Sequence, residues 1–436
     1  MGYDIILGRD ESDKKLFGDR GLVYLGKGYV KMGQYTSLSN KIFMDVARSH
    51  VVLVSGKRGS GKSYTLGTIA EELSLLPKDE KANIASLIFD TMGIFWTMKY
   101  ENDKDRELLA EWGLKPQKIN AKVFVPFGYF KDYEKREIPI DEKFALNPAE
   151  LNAEDWVITF GLKITDSISI LIERVITRLK EENEIFYIKD IIKEIENSKS
   201  EAEIKNSTIG LFEAADSWKI FANQNQESTS TSELVNAGET TILDLSMYSS
   251  TSAFNIRALV VSLICRKLFN ERMLARKKEE VLAVQHGADY LSFKQEREMP
   301  LVWIFIDEVH EFLPANEKTP ATDALTQLLR EGRQPGISLV MATQQPGALA
   351  RDAITQADII ISHRVTAAPD IKALNEIMQS YMLESIKKYM DDLPALKGSA
   401  ILLDDNSERI YPFRTHPRYT WHGGEAPTSI KIERRL

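Results

Sequence analysis

One octapeptide limits what this chain can fold into, the run Gly-Lys-Arg-Gly-Ser-Gly-Lys-Ser at residues 56–63. It satisfies the G-x-x-x-x-G-K-[ST] pattern of a phosphate-binding loop, which requires a strand before it and a helix after it. Both are indicated, because residues 51–54 are a short apolar run and residues 63–76 carry apolar side chains at helical spacing. The sequence therefore predicts a parallel α/β sheet with a nucleotide site at this loop.

The residue types in the loop suit a bound triphosphate. Glycines let backbone N–H groups converge on an anion at a helix N-terminus, where the helix dipole already favours negative charge. Lys62 is predicted to reach the β- and γ-phosphates of ATP, and Ser63 to ligate Mg²⁺ through its hydroxyl. A chance glycine-rich turn is the alternative, and the flanking strand and helix disfavour it. The predicted nucleotide-binding residues are Gly56, Arg58, Gly59, Ser60, Gly61, Lys62, Ser63 and Tyr64.

A second signal lies far downstream, where six consecutive apolar residues at 301–306 precede Asp307 and Glu308. Such a run suits a strand that is buried on both faces of a parallel sheet. At the end of that strand, Asp307 is predicted to orient the Mg²⁺ shell, and Glu308 to polarise the water that attacks the γ-phosphate. A buried strand that ends in acidic residues by chance is less favoured once a phosphate loop lies upstream.

Other polar residues also follow predicted strands. Gln344 comes just after the apolar run 337–342, and we expect it to sense the γ-phosphate and help to hold the water. Asp90 ends another apolar run, and a turn role and a role near the nucleotide are equally open. His310 and Glu311 lack further metal-ligand spacing, so we expect them to have packing or surface roles.

Composition excludes some classes of protein. A formal charge of −8 argues against a uniformly basic surface that coats nucleic acid, although it allows a locally basic pore. No stretch approaches the roughly 18 to 20 apolar residues that span a bilayer, and the first residues do not resemble a signal peptide. We therefore expect a cytosolic protein without a membrane contact. The single cysteine, Cys265, lies in an apolar run and is predicted to be buried and inert.

Changes of pattern along the chain predict five parts. Short β-like pieces precede the loop, and amphipathic helical spacing marks a middle segment that ends in a polar tract. The C-terminal stretch has little periodicity and is expected to be an arm on a neighbouring subunit or to be disordered. The predicted parts are a small β-rich N-terminal module (1–49), two portions of an ATPase core (50–149 and 236–413), a helical insertion (150–235) and a C-terminal arm (414–436).

Four motifs together resemble the HerA/FtsK group of ring ATPases, and in particular its HerA-like branch. They are the loop at 56–63, the strand ending in Asp307-Glu308, Leu-Leu-Arg-Glu-Gly-Arg-Gln-Pro-Gly at 328–336 and Ala-Thr-Gln-Gln-Pro at 342–346. The resemblance covers roughly residues 8–415. It implies a RecA-like core with a mainly parallel sheet, a small β-barrel, a helical insertion, and homo-hexamers that use ATP to thread double-stranded DNA through a central pore.

The resemblance also implies site roles and partners. It assigns Lys62 and Ser63 to the Walker A pair, Asp307 and Glu308 to the Walker B pair, and Gln344 to the sensor position. Arg330 and Arg333 fall in the family's Arg-Glu-Gly-Arg segment, and one of them resembles the arginine that is donated across the subunit interface; Arg364 is a third candidate. A nuclease of the NurA type, or another effector enzyme in DNA end processing, repair or defence, is the implied partner.

Two departures from the family leave the partner and its docking surface open. Residues 1–49 are fewer than the N-terminal barrel of full-length HerA proteins usually has, and residues 90–93 read Asp-Thr-Met-Gly where the family often has aspartate, proline, histidine and glycine. Two other functions therefore stand beside the DNA translocase or helicase. One is a ring ATPase that moves another polymer, as motors of conjugation and virus packaging do, and the other is a nucleotide-gated scaffold for an effector enzyme.

Overall fold

A computed structural model describes residues 4–32, 35–248, 254–286, 297–378 and 386–424. In these residues the strands form one 13-stranded sheet. The strands are β1 (Ile5–Leu7), β2 (Leu22–Met32), β3 (Tyr35–Asp45), β4 (Val51–Ser55), β5 (Ile84–Asp90), β6 (Ala121–Pro126), β7 (Glu142–Phe144), β8 (Thr240–Asp244), β9 (Leu301–Ile306), β10 (Ile337–Thr343), β11 (Ile359–His363), β12 (Ser399–Asp404) and β13 (Arg409–Thr415).

Helices cover both faces of this sheet. They are α1 (Glu11–Phe17), α2 (Lys62–Ser74), α3 (Lys78–Lys81), α4 (Arg106–Glu111), α5 (Phe130–Lys135), α6 (Ala153–Thr159), α7 (Ser167–Glu182), α8 (Ile188–Asn197), α9 (Ala202–Ser217), α10 (Thr231–Leu234), α11 (Phe254–His286), α12 (Thr322–Glu331), α13 (Arg351–Thr355), α14 (Ala368–Met378) and α15 (Ile386–Asp392).

The strand order is β1-β3-β2-β13-β12-β11-β4-β10-β9-β5-β8-β6-β7. From β11 to β7 every neighbouring pair is parallel. The pairs that join β11, β12, β13, β2 and β3 are antiparallel. The predicted mixed α/β fold with a mainly parallel sheet is confirmed.

The central strands are apolar on both faces because helices cover both faces. Successive side chains of a strand point to opposite sides, and β4 shows this alternation. Val52 and Val54 pack into the core on the side that α2 covers, whereas Leu53 packs into the core on the other side. In β9, Trp303 and Phe305 pack into the core on the α2 side of the sheet. The residues next to them in the strand pack into the core on the other side. These strands are therefore fixed in position, and so are the loops at their carboxyl ends.

The segment between β7 and β8 folds mainly into helices, as its amphipathic spacing indicates. Trp156 of α6 lies at its centre, with its ring centroid 5.0 Å from that of Phe212 and 5.1 Å from that of Phe221. Helices α7, α8 and α9 pack on one another and share the large core with the sheet. The division of the chain into independent domains remains a prediction.

The N-terminal strands differ from the expected barrel-like module. In the described residues, β2 and β3 are long paired strands, and β2 also pairs with β13, with Gly28 opposite Phe413. This segment therefore extends the edge of the core sheet. Helix α1 was not predicted; it begins after Asp10, whose side chain accepts a hydrogen bond from the backbone N–H of Asp13.

The expectation of a neighbour-bound or disordered C-terminal arm is wrong for residues 416–424. His416, Arg418 and Thr420 are completely buried against the same chain, beside α2. Local periodicity could not show this, because the packing depends on partners more than 300 residues away. Residues 425–436 of the predicted arm lie outside the described residues.

Candidate nucleotide site

The loop between β4 and α2 has the backbone that a phosphate cradle needs. Gly59 and Gly61 have positive φ angles of 74° and 117°, which only glycine adopts readily. At Gly56 a Cβ atom would lie 2.4 Å from Oγ of Ser60 and 2.7 Å from Cβ of His363, so no larger residue fits without a shift. Ser60 Oγ is buried and has no hydrogen-bond partner among the described residues. The loop therefore leaves the hydroxyl of Ser60 for a ligand.

Sheet topology brings the two strongest sequence signals together. Strand β10 lies between β4 and β9, and all three are parallel, so their carboxyl ends form one edge of the sheet. Ser63 Oγ donates a hydrogen bond of 2.6 Å to Oδ2 of Asp307, across 244 residues of sequence. A hydroxyl and a carboxylate oxygen are the ligands that Mg²⁺ prefers. The two residues predicted to hold the metal therefore lie in contact.

Glu308 is held in a specific orientation beside them. The side-chain amide of Gln344 donates to Oε1 of Glu308, so the predicted sensor contacts the predicted catalytic carboxylate. Oε2 of Glu308 is buried without a hydrogen-bond partner among the described residues. The backbone φ of Glu308 is 51°, in the left-handed region, where a non-glycine residue costs about 1 to 3 kcal/mol and where strain clusters at functional sites. The free carboxylate oxygen is suited to accept a proton from water.

The site buries charged groups of both signs. Lys62 is 5% exposed, and among the described residues its ammonium group makes a single hydrogen bond, of 3.5 Å, to the carbonyl of Lys57. Burial lowers the pKa of Lys62, and Glu308 and Asp307 oppose that shift. Burial likewise raises the pKa of Asp307, against the hydrogen bond from Ser63. A triphosphate and Mg²⁺ would compensate these charges, so the residues present fit both groups.

His310, for which the sequence predicted a packing or surface role, lies at the site, and so does His363, for which it predicted no role. His310 Nδ1 lies 3.2 Å from Oγ1 of Thr343 and 3.5 Å from Oε2 of Glu308, so it adjoins the predicted catalytic carboxylate. His363 ends β11; its Nδ1 lies 3.2 Å from the carbonyl of Ser399, and its Nε2 lies 2.9 Å from the hydroxyl of Thr65. The carbonyl can only accept, so Nδ1 donates to it, and Nε2 accepts from Thr65.

The surroundings of His363 keep it neutral. Burial lowers its pKa to about 4, despite its hydrogen bond to the carbonyl of Ser399. Because it is neutral and packs against the loop, it supports the glycines without adding charge near the phosphates. A polar residue at the end of a buried strand was the one signal that could have identified it.

Two of the three candidate arginines lie away from the site of their own chain. The third, Arg364, directly follows β11 at the carboxyl edge, and its carbonyl accepts the backbone N–H of Lys57 at 3.0 Å. Arg330 forms an ion pair of 2.5 Å with Asp352, and Arg333 forms one of 2.9 Å with Asp358. Arg330 lies in the last turn of α12 and Arg333 lies just beyond it, and the chain then enters β10, so both lie at the opposite, amino edge of the sheet. Arg364 donates to the carbonyl of Leu393. The fold therefore excludes Arg330 and Arg333 from acting on the nucleotide of their own chain.

Three further predicted residues have other roles for their side chains. The side chain of Arg58 is exposed. The hydroxyl of Tyr64 accepts a 2.6 Å hydrogen bond from the backbone N–H of Arg418, so the tyrosine side chain contacts the C-terminal segment, and only its backbone N–H is left for a phosphate. Asp90 accepts from the backbone N–H groups of Gly93 and Phe95 at 2.7 and 2.8 Å, which is the turn role.

The fold and this site define a P-loop ATPase. Residues 30–268, more than half of the chain, match the family model described as "Helicase HerA, central domain". The chain therefore belongs to the HerA helicase central-domain family. In the described ranges, no helix combines the length and the apolar character that crossing a bilayer requires.

Individual relatives agree with this assignment. The chain is 23% identical to a probable helicase of Methanocaldococcus jannaschii over 92% of its length and 68% of the relative's. It is also 23% identical to the DNA double-strand break repair helicase HerA of Saccharolobus solfataricus, over 88% of this chain and 65% of that protein. The chain thus spans about two thirds of the length of these relatives.

Solved structures show the same fold. The structure of VirB4 of Thermoanaerobacter pseudethanolicus matches with a TM-score of 0.56 and 11% identity, covering 91% of this chain and 96% of that chain. The bacterial conjugative coupling protein TrwBdeltaN70 matches with a TM-score of 0.50 and 14% identity, covering 94% of this chain and 99% of that chain. At these identities the likeness concerns the fold alone.

Proposed function

We propose that this chain is an ATP-driven, homo-hexameric translocase or helicase for double-stranded DNA, of the HerA type. We further propose that it works with a nuclease resembling NurA, or with another effector, in DNA end processing, repair or defence. Support for DNA as the substrate comes from the relatives named DNA double-strand break repair helicase HerA.

One observation carries the ATPase part of the proposal. Ser63 follows β4 and Asp307 follows β9, yet their side chains meet at 2.6 Å. Glu308 and Gln344 meet beside this pair. Metal-holding, water-polarising and phosphate-sensing groups thus lie at one edge of the sheet, within the reach of a nucleotide in the loop.

The mechanism follows from the positions of these side chains. Lys62 balances negative charge on the β- and γ-phosphates, with help from the amides of the loop. When bound, Mg²⁺ neutralises phosphate charge, and Ser63 and Asp307 would hold it. Gln344 fixes Oε1 of Glu308, which leaves Oε2 to orient the attacking water and accept its proton.

In the proposed ring, an arginine from a neighbouring subunit completes the site. The side chains of Arg330 and Arg333 are 60% and 72% exposed at the amino edge, where a neighbouring subunit can approach them. We propose that one of them reaches the γ-phosphate bound by that neighbour and stabilises charge that develops in the transition state. Interface movements then drive the DNA backbone, which makes binding salt-dependent and largely independent of sequence.

The test is the ATP hydrolysis rate of the purified chain with and without linear double-stranded DNA, at low and at moderate salt, with Lys62→Ala as the blank. The proposal predicts that DNA stimulates the rate and that the stimulation fades as salt rises. A rate that is indifferent to DNA at both salt concentrations contradicts DNA translocation and favours a motor for another polymer or a nucleotide-gated scaffold.

A further inference from the structure

Residues 416–422, here called the C-terminal strap, hold a buried arginine against the helix that follows the phosphate loop. The side chains of Arg418 and Glu71 are both completely buried and form an ion pair of 2.6 Å between Nε and Oε1. The guanidinium also donates to Oγ1 of Thr420 at 2.7 Å and lies 3.3 Å from Nδ1 of His422. A buried charge is stable only when it is paired and hydrogen-bonded, and this one is both.

The carboxylate of Glu71 is saturated by the same segment. Its Oε2 accepts the backbone N–H of Tyr419 at 2.8 Å, and its Oε1 accepts the hydroxyl of Thr420 as well as Nε of Arg418. One carboxylate of α2 thus binds three consecutive residues of the strap. Such a network determines one position of the strap relative to the helix.

A glycine in α2 makes room for this arginine. A Cβ atom at Gly67 would lie 2.5 Å from both Cζ and Nη1 of Arg418. Glycine weakens a helix interior, so its presence in α2 needs another reason. The close approach of the guanidinium supplies that reason.

The strap also contacts the first turn of α2, which carries Lys62 and Ser63. The backbone N–H of Arg418 donates to the hydroxyl of Tyr64, the residue directly after Ser63. Further along the helix, the hydroxyl of Tyr419 donates to Glu72 at 2.8 Å. The strap therefore contacts both the start and the later turns of the helix that carries the loop.

We infer that the C-terminal strap positions α2, and with it Lys62 and Ser63, for nucleotide binding, and that Arg418 is the positioning residue. The inference rests on the proposed ATP site, because the strap is inferred to act on nucleotide binding through α2. Its physical basis is that catalytic groups displaced by about 1 Å can lose about a hundredfold in rate. The strap holds the helix N-terminus on which both groups depend.

The experiment replaces Gly67 by alanine and follows the loop directly. Gly67→Ala favours the helix itself, but its Cβ displaces the buried guanidinium of Arg418, so the contacts between the strap and α2 are lost. Gly210→Ala is the matched control, since Gly210 lies in α9, and a Cβ there meets nothing within 4 Å. A double variant, Gly67→Ala with Arg418→Ala, removes the clash, and what remains is the loss of the arginine and of the ion pair that compensates the buried Glu71. Readouts are amide hydrogen exchange in a peptide covering residues 57–66 and the Kd for ATP with Mg²⁺.

We expect Gly67→Ala and the double variant to speed exchange in residues 57–66 and to raise the Kd for ATP, each by about tenfold. Gly210→Ala should change neither quantity. Exchange in 57–66 that matches the control overturns the inference, and so does a uniform rise over the whole chain with an unchanged Kd. Amide hydrogen exchange can be measured without nucleotide. A wild-type chain that fails to bind ATP would therefore refute the proposed function, while the exchange rates would still decide whether the strap holds the loop.

Discussion

The two edges of the sheet differ in how their buried charged groups are paired. At the carboxyl edge, among the described residues, Lys62 makes one long hydrogen bond, and Oε2 of Glu308 is buried without a hydrogen-bond partner. At the amino edge, His50 lies between two carboxylates, with Nδ1 2.7 Å from Asp358 and Nε2 3.1 Å from Asp45.

Arginines complete the pairing at the amino edge. Arg9 pairs with Asp45, and Arg333 pairs with Asp358. Burial disfavours the charged form of His50, but its hydrogen bonds to Asp358 and Asp45 outweigh that effect and raise its pKa to about 9. A fold tolerates unpaired buried charge where a ligand will complete it, whereas paired charge supports the fold itself. The comparison predicts that changes at the carboxyl edge affect turnover and that changes around His50 affect stability.

The largest expected effect is a loss of ATP turnover. It concerns Arg330 and Arg333, which lie at the amino edge but are proposed to act in catalysis. If Arg330 or Arg333 acts across the subunit interface, its replacement by alanine lowers ATP turnover by about 10³ to 10⁵-fold. The melting temperature should change little, because an exposed ion pair contributes about 0 to 1 kcal/mol. Single variants measured for turnover and for melting distinguish the two arginines.

Subunit mixing provides the control for that prediction. The inactive arginine variant keeps its phosphate loop, and Lys62→Ala keeps its arginines, so mixed rings contain some interfaces with both groups intact. Recovered turnover on mixing indicates action across the interface. No recovery, from rings shown to exchange subunits, contradicts it.

At the carboxyl edge, Lys62→Ala should lower ATP turnover without lowering the stability of the fold. Loss of the cation beside the phosphates lowers turnover by about 10² to 10³-fold. The melting temperature should not fall, because among the described residues the ammonium group makes a single hydrogen bond, of 3.5 Å. A stability loss as large as the one expected for His50 would break the comparison.

His50→Gln should destabilise the fold with little effect on the turnover of folded protein. The folded pKa of about 9 exceeds the ordinary 6.5, so the stabilisation is complete below about pH 6.5 and is lost as pH rises through about 9. The shift corresponds to about 3 kcal/mol. Urea unfolding at pH 6 and pH 9.5 should show the loss in the wild type and a smaller loss in the variant; equal losses would contradict the assignment.

The residues of the candidate site could be proposed from the sequence because local patterns contain them. The glycines and Lys62 stand in one octapeptide, and Asp307 and Glu308 follow an apolar run long enough to mark a strand buried on both faces. Parallel strands place such residues at one edge, so their proximity followed once the sheet was inferred. The contact between Gln344 and Glu308 agrees with the expected neighbourhood of the sensor.

Residues whose role depends on distant pairing were not predictable in the same way. Arg418 looks like any polar tail residue until Glu71 is placed beside it, and Gly67 gives no sign that it faces a guanidinium. The pairing of β2 with β13 joins segments from opposite ends of the chain, so no local pattern reports it. Tyr64 follows the motif, but its hydroxyl contacts the strap.

The most direct test of the central claim is single-turnover hydrolysis of ATP by Glu308→Gln in the presence of double-stranded DNA. The amide keeps the size of the side chain but cannot accept a proton from water. We predict that the variant binds ATP like the wild type, hydrolyses it about 10² to 10⁴-fold more slowly and melts at the same temperature. Hydrolysis at the wild-type rate would contradict the claim that this edge of the sheet performs the chemistry.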